Sequence, residues 1–183
     1  MKQNKSLFLA LALLIIVGSL FRVLGFAPQI AMAVFAGAVV KDKKLAFIFP
    51  LVSMLLSDAL YQVLFLNGLV EYAGFYTGQV TNYILIISLT FFGMAIKKLN
   101  VMRIAAAVIA APTAYFLISN FMVWAGGGGY SRPLTFNGLL LCYNDALPFW
   151  RSSLETTAVF SLILFGGYYL INHFVLQRKQ QLA

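Results

Sequence analysis

Long apolar stretches alternate along this chain with short clusters of basic residues, and the alternation predicts its helices. A helix needs about 20 mainly apolar residues to cross about 30 Å of hydrocarbon. Six stretches meet or approach this length, and the second of them is short. They cover residues 7–25, 27–40, 45–66, 81–97, 101–124 and 153–175. The pattern predicts an all-α integral membrane protein, with residues 1–183 forming a single six-helix transmembrane domain.

The basic clusters predict the orientation of these helices. Lys and Arg accumulate in cytoplasmic loops because positive charge resists translocation. Four clusters, each predicted to be cytoplasmic, flank three apolar blocks. Because both ends of every block are then on the same side, each block crosses the membrane an even number of times. The clusters are Lys2/Lys5, Lys41/Lys43/Lys44, Lys97/Lys98/Arg103 and Arg178/Lys179. Both termini are therefore predicted to be cytoplasmic.

Composition supports the membrane class and argues against a nucleic-acid partner. The chain is 62% hydrophobic and 10% charged, whereas soluble domains are about 25% charged. Its net charge of +8 comes from residues at helix ends rather than from one basic face. Anionic lipid headgroups are the partners that this arrangement predicts.

Connection lengths differ between the two sides of the predicted bundle. The inner turns at residues 41–44 and 98–100 are short, whereas the outer connections at 67–80 and 125–152 are long. Long loops without a domain of their own are usually lids or binding loops. The outer face is therefore the predicted working face. Within the last loop, the glycines at 126–129 predict a hinge that lets the apolar run 134–141 fold back towards the membrane.

Charged residues inside spans are default candidates for a site, because they are expensive in hydrocarbon and usually face the bundle interior. Counting along the helices brings Arg22, Asp58, Arg151 and Glu155 to one depth in the outer half. Two interpretations remain open: an ion-pair lock between helices, or the floor of an outward-facing pocket. The predicted substrate-binding residues are Arg22, Asp58, Asn82, Asn120, Asn144, Asp145, Arg151 and Glu155.

Nothing in the sequence predicts an enzyme, a metal site or a cofactor. The only histidine, His173, falls at the cytoplasmic end of the last predicted span, opposite Cys142 and the acidic residues. This topology excludes a Cys-His catalytic pair, and zinc lacks a ligand set.

Small residues at four-residue spacing predict a close helix contact on the second helix. The predicted face consists of Ala27, Ala31, Ala33 and Gly37. Such faces let helix backbones approach each other closely. The partner can be another helix of this bundle or a separate subunit.

Several segments are similar to an uncharacterised bacterial membrane family that resembles the substrate-binding S component of energy-coupling factor (ECF) vitamin transporters. The similarity covers nearly the whole chain, including the size, the six helices and the short inner turns. It is carried by residues 49–58, from Phe49-Pro50 to Ser57-Asp58, by residues 142–150, and by Leu154-Glu155 and Phe165-Gly166.

This resemblance implies a multi-pass protein of the bacterial inner membrane that captures a vitamin or related micronutrient beneath its outer loops. It also implies that an alanine-rich helix face docks onto a transmembrane coupling subunit driven by ATPases. In that family the docking signature is usually on the first helix, whereas here the repeats lie on the second. The alternative function is an accessory or structural subunit of a larger membrane complex, without transport of its own.

Overall fold

The computed structural model describes residues 16–22, 28–128 and 130–181, with side-chain environments up to His173. Regular structure in these ranges is entirely helical. The helices are α1 (residues 16–22), α2 (Gln29–Val39), α3 (Lys43–Leu66), α4 (Gln79–Ser88), α5 (Thr90–Met94), α6 (Val101–Ala125) and α7 (Phe136–Gln181).

Three of these helices are long and apolar enough to cross a membrane, so the chain has the character of a membrane protein. They are α3, α6 and the Phe136–His173 part of α7. Their outward faces expose large apolar side chains such as Leu56, Ile109 and Leu162, as lipid contact requires. The apolar helices α2 and Gln79–Met94 are shorter than a full span.

Helices α3 and α6 begin at side-chain caps. The Asp42 carboxylate accepts hydrogen bonds from the backbone N–H groups of Lys44 (2.9 Å) and Leu45 (3.4 Å). The Asn100 side chain accepts one from Met102 N–H at 2.8 Å. These bonds satisfy N–H groups that a helix start leaves without partners. At the short turns before α3 and α6, one helix therefore ends and the next begins within a few residues.

Two predicted helices differ from those observed. The span predicted over 81–97 is divided at Leu89 into α4 and α5. The helix predicted over 153–175 begins already at Phe136, so the outer connection is reduced to residues 126–135. The sequence predicts an outer connection over 125–152, whereas α7 runs through Asn144, Asp145 and Pro148 without a break. Inside a membrane bundle, neighbouring helices and side chains compensate for the hydrogen bond that a proline removes.

Helix α2 occupies the centre of the bundle, where residues 29–37 are all buried. It packs against α3, α5, α6 and α7. Glycines allow the closest of these approaches: a β-carbon on Gly37 would collide with the Thr90 carbonyl oxygen of α5, and one on Gly93 with the Val34 carbonyl oxygen of α2. The two backbones are therefore in direct contact, with no side chain between them.

Candidate functional site

A buried carboxylate, Asp58, organises a polar network near one end of the bundle. Its side chain is 1% exposed, and it lies in the second half of α3, whose apolar face forms part of the core. One oxygen, Oδ1, pairs with the Arg22 guanidinium of α1. The other, Oδ2, accepts hydrogen bonds from Gln79 Nε2 at 2.6 Å and from the Tyr83 hydroxyl, both on α4. Asp58 thus links three helices.

Arg22 has additional partners on α3 besides Asp58. Its Nη1 donates to Ser57 Oγ at 2.7 Å, and its guanidinium carbon lies 5.9 Å from the centroid of the Tyr61 ring. The Tyr61 hydroxyl in turn donates to the Arg22 carbonyl oxygen at 3.2 Å. With 19% of its side chain exposed, Arg22 forms the edge of the network rather than its buried centre.

The connection between α3 and α4, residues 67–78, folds against this network. Gln62 Oε1 accepts hydrogen bonds from the backbone N–H groups of Gly74 (3.1 Å) and Phe75 (3.3 Å). Gln79 Nε2 also donates to the Gly74 carbonyl oxygen at 3.1 Å. A β-carbon on Gly74 would collide with the Asp58 carbonyl oxygen, so only glycine allows the loop to come this close to α3.

A second group of polar contacts joins α4 to α6 beside the first. Asn82 Nδ2 donates to the Tyr76 hydroxyl at 2.8 Å, and Asn82 Oδ1 accepts from the Tyr115 hydroxyl at 2.6 Å. Gln79 Nε2 lies 2.7 Å from the Tyr83 hydroxyl. The predicted site residues Arg22, Asp58 and Asn82 therefore lie in one region. Helix α4 joins them, because Gln79 and Tyr83 bind Asp58 and Asn82 lies on the same helix.

The other predicted residues lie on α6 and α7, and none of the hydrogen bonds described for them reaches Asp58. Asn120 binds within its own helix, donating to the Phe116 carbonyl oxygen at 2.8 Å. Asp145 pairs with Arg132 of the 126–135 connection, whose Nε and Nη2 donate to its two oxygens at 2.9 and 3.1 Å. Asn144 is exposed. Of these residues, Asp145 therefore holds the α6–α7 connection in place.

Arg151 and Glu155 pair with each other instead of joining Arg22 and Asp58. Arg151 Nε donates to Glu155 Oε1 at 2.9 Å, one turn apart on α7, with 81% and 64% of the two side chains exposed. The structure therefore separates the four charges, predicted to meet at one depth, into a buried pair and an exposed pair.

The small-residue face of α2 is occupied by this chain's own helices. Ala31 and Ala33 have no exposed surface, and Gly37 abuts α5. Ala27, the fourth residue of the predicted face, lies outside the described residues. The three described residues are internal packing positions, so the predicted docking surface is not accessible on them.

Gln79 is the member of the network that sequence reasoning missed. It precedes the predicted span at 81–97 and resembles an ordinary loop residue. Its spacing of four residues from Tyr83 places both side chains on one face of α4, and this periodicity was the available signal. Within the described residues, no group of three or more His, Cys, Asp or Glu side chains is arranged to hold a metal ion.

A large apolar groove runs between α6 and α7 on the outside of the bundle. Its volume is about 540 Å³. It is lined by apolar residues and one hydroxyl: Leu99, Val101, Ile104, Ala105, Val108, Ala158, Ser161, Leu162, Phe165, Gly166 and Tyr169. Ser161 Oγ is buried and has no hydrogen-bond partner within the described structure.

No curated protein and no solved structure matches this chain. The model of one family, the family of unknown function DUF6580, matches residues 2–181. This match extends over nearly the whole sequence, and the chain therefore belongs to the DUF6580 family.

Proposed function

We propose that this protein is a substrate-binding membrane subunit for the uptake of a vitamin or related micronutrient, resembling the S component of ECF transporters. One observation carries the proposal: a polar network around the buried charge of Asp58 lies beneath the 67–78 connection, inside a bundle with a mainly apolar core. Asp58 is fifteen residues from the Lys43 end of α3, or about 22 Å along the helix axis. Polar groups at this depth are costly in a membrane and are usually functional.

The charge balance of the network favours one kind of ligand. Because Asp58 already neutralises Arg22, recognition relies on hydrogen bonds rather than on net charge. Gln62, Asn82 and Tyr115, which are partly exposed, supply donors and acceptors next to the aromatic rings of Tyr76 and Tyr83. The ligand is thus a small, polar and partly aromatic molecule without a large net charge. In this proposal the protein binds its cargo and catalyses no reaction.

We also propose how the protein is oriented in the membrane and which partners it has. The chain crosses the bacterial inner membrane six times with both termini in the cytoplasm, and a coupling subunit with ATPases drives release. Since α2 has its small-residue face buried, the coupling subunit docks on another surface. In this proposal Asn120, Asn144, Asp145, Arg151 and Glu155 do not contact the ligand, because none of the hydrogen bonds described for them involves the Asp58 network.

Native mass spectrometry of the protein extracted gently from its own host tests this function. We expect a small molecule bound to the wild-type protein and lost from the Asp58→Asn variant, because the amide no longer holds Arg22 and Tyr83 in place. The Asp145→Asn variant is the matched control, since it removes a carboxylate outside the network and should retain the molecule. An empty wild-type protein would contradict the proposal.

A second candidate function is an accessory subunit of a larger membrane complex. The apolar α6–α7 groove favours it, because small side chains such as Ala105, Ala158 and Gly166 let another helix approach. In the same experiment, an empty chain bound in fixed stoichiometry to other membrane proteins would favour this function over uptake.

A further inference from the structure

The exposed ion pair on α7 lies at a depth where no aqueous solvent is expected. The Trp150 indole Nε1 donates to Thr113 Oγ1 of α6 at 3.2 Å, so Trp150 and Thr113 share one level. Thr113 is twelve residues after Val101, the first residue of α6, which corresponds to about 18 Å along the axis. The hydrocarbon layer is about 30 Å thick. Arg151, next to Trp150, therefore lies near the middle of the membrane if α6 spans it.

Charges at this depth normally face the bundle interior or a water-filled cavity. Arg151 and Glu155 do neither, because they are 81% and 64% exposed on the outside of α7. Their mutual hydrogen bond leaves most donors of the guanidinium and one carboxylate oxygen without a partner in α7. A second surface that covers the pair would remove this exposure to lipid.

Further polar residues continue the same face of α7. Asn137, Asn144 and Arg151 follow one another at intervals of seven residues, and Glu155 lies one turn later. All four are exposed. A seven-residue repeat keeps one stripe facing a neighbouring helix in a left-handed helix pair. We call these four residues the polar stripe.

The stripe continues into positions that permit close helix contact. Ala158 and Gly166 are exposed on the same side of α7, and a β-carbon on Gly166 would meet no atom within 4 Å. Small residues let two helix backbones approach, and Asn side chains hydrogen-bond across membrane helices. Polar and small residues on one face thus provide both features of a membrane helix interface.

We infer that the polar stripe is the interface between two copies of this chain, with their α7 helices parallel and related by a two-fold axis. A partner that covers the pair should offer an acid to Arg151 and a base to Glu155. A second copy offers both, because in a parallel pair Glu155 of the partner subunit lies about 6 Å along the axis from the level of Arg151, within reach of its long side chain. The reverse contact follows from symmetry. The four charges then form a neutral network shielded from lipid. This inference is independent of the proposed uptake function.

Disulfide cross-linking in native membranes tests the interface. Cys142 is the only cysteine, so Cys142→Ala provides a background without thiols. In this background Asn144→Cys is expected to form a disulfide-linked dimer on mild oxidation. Phe149→Cys is the control: the residue is exposed and lies about 7.5 Å further along α7 on a different face, and it should give about tenfold less dimer.

Charge reversal distinguishes contacts between copies from contacts within one copy. Arg151→Glu gives a chain with two acids and Glu155→Arg a chain with two bases, so each alone should lose the dimer. Losing about 1.4 kcal/mol of association energy corresponds to a tenfold weaker dimer. When the two variants, carrying different tags, are expressed together, opposite charges meet again and the mixed dimer should be recovered. This recovery also excludes misfolding as the reason for the loss.

Three results would overturn the inference. One is equal cross-linking at residues 144 and 149. Another is a cross-link from Asn144→Cys only to a different protein, which would assign the stripe to a heterologous subunit. The third is an Arg151→Glu variant that dimerises as well as its parent, which would mean that the ion pair faces lipid without a protein partner.

Discussion

At the scale of single residues, Asp58 is the buried charge around which the polar network forms. It is buried, charged and bound to side chains from α1 and α4. Removing one member of a buried ion pair leaves the other charge without compensation and typically destabilises a protein by about 3–5 kcal/mol. The pair therefore determines stability whether or not a ligand also uses it.

Thermal unfolding of the purified protein tests this role of Asp58. Asp58→Ala and Arg22→Ala should each lower the unfolding temperature strongly, because each leaves an unpaired charge. The double variant should be more stable than the sum of the two losses predicts, since it leaves no isolated charge. Glu71→Ala, which removes an exposed carboxylate from the adjoining connection, is the control and should change little. Additive losses would contradict a direct pairing.

At the scale of helices, the contact between α2 and α5 is the most restrictive. Gly37 and Gly93 each face a carbonyl oxygen of the opposite helix, so neither backbone has room for a side chain. Alanine normally stabilises a helix by about 1 kcal/mol relative to glycine. At these two positions, steric overlap between backbones should outweigh that gain.

Alanine substitution separates these effects. Gly93→Ala should lower the unfolding temperature, since its methyl group would overlap the Val34 carbonyl. Gly167→Ala is the matched helical control, because a β-carbon there meets no atom within 4 Å and only the helix preference changes. If Gly93→Ala unfolds at the same or a higher temperature than Gly167→Ala, the close contact is absent in the membrane.

The sequence predicted some helices far better than others. The spans predicted at 45–66 and 101–124 correspond to α3 and α6 within two residues, because basic residues and an Asx cap define their starts. The beginning of α7 was not predictable from local propensity. Asn144, Asp145 and Pro148 favour turns in water, whereas their environment here is set by packing against α6.

The candidate site was likewise predictable from the sequence only in part. Opposite charges at one depth predicted that Arg22 and Asp58 meet, and the structure brings them together. A spacing of four residues is also sufficient to place Arg151 and Glu155 on one face of a helix. Sequence periodicity does not reveal which way that face points, because the rotation of α7 depends on packing against α2 and α6. The exposure of this pair could be learned only from the three-dimensional structure.

At the scale of the whole molecule, the arrangement of helices predicts which connections face each side of the membrane. The proposed topology has the turn at 41–44 in the cytoplasm and the connection at 67–78 outside. These segments lie at opposite ends of α3, which is 24 residues long and extends about 36 Å. They should therefore differ completely in their accessibility to a reagent that cannot cross the membrane.

Cysteine labelling in intact cells tests this topology. In the Cys142→Ala background, Tyr72→Cys should react with an impermeant maleimide added outside. Lys41→Cys should react only after the cells are permeabilised, which also shows that its thiol is accessible. The reverse labelling pattern would mean that the protein has the opposite orientation in the membrane. Labelling of both from outside would mean that α3 does not cross it.

The burial of α2 has a consequence for the stage of synthesis at which the protein can complete its folding. This helix has eleven residues, about 16 Å, and so covers only half of the hydrocarbon layer. Phe35 packs on Phe165 and Tyr168 of α7 at ring distances of 5.2 and 6.1 Å, yet those residues are translated more than a hundred positions later. Until α7 emerges from the ribosome, α2 lacks the side chains that pack against it from this helix. Folding is therefore completed only after synthesis of nearly the entire chain, and a nascent chain truncated before α7 would be a substrate for membrane quality control.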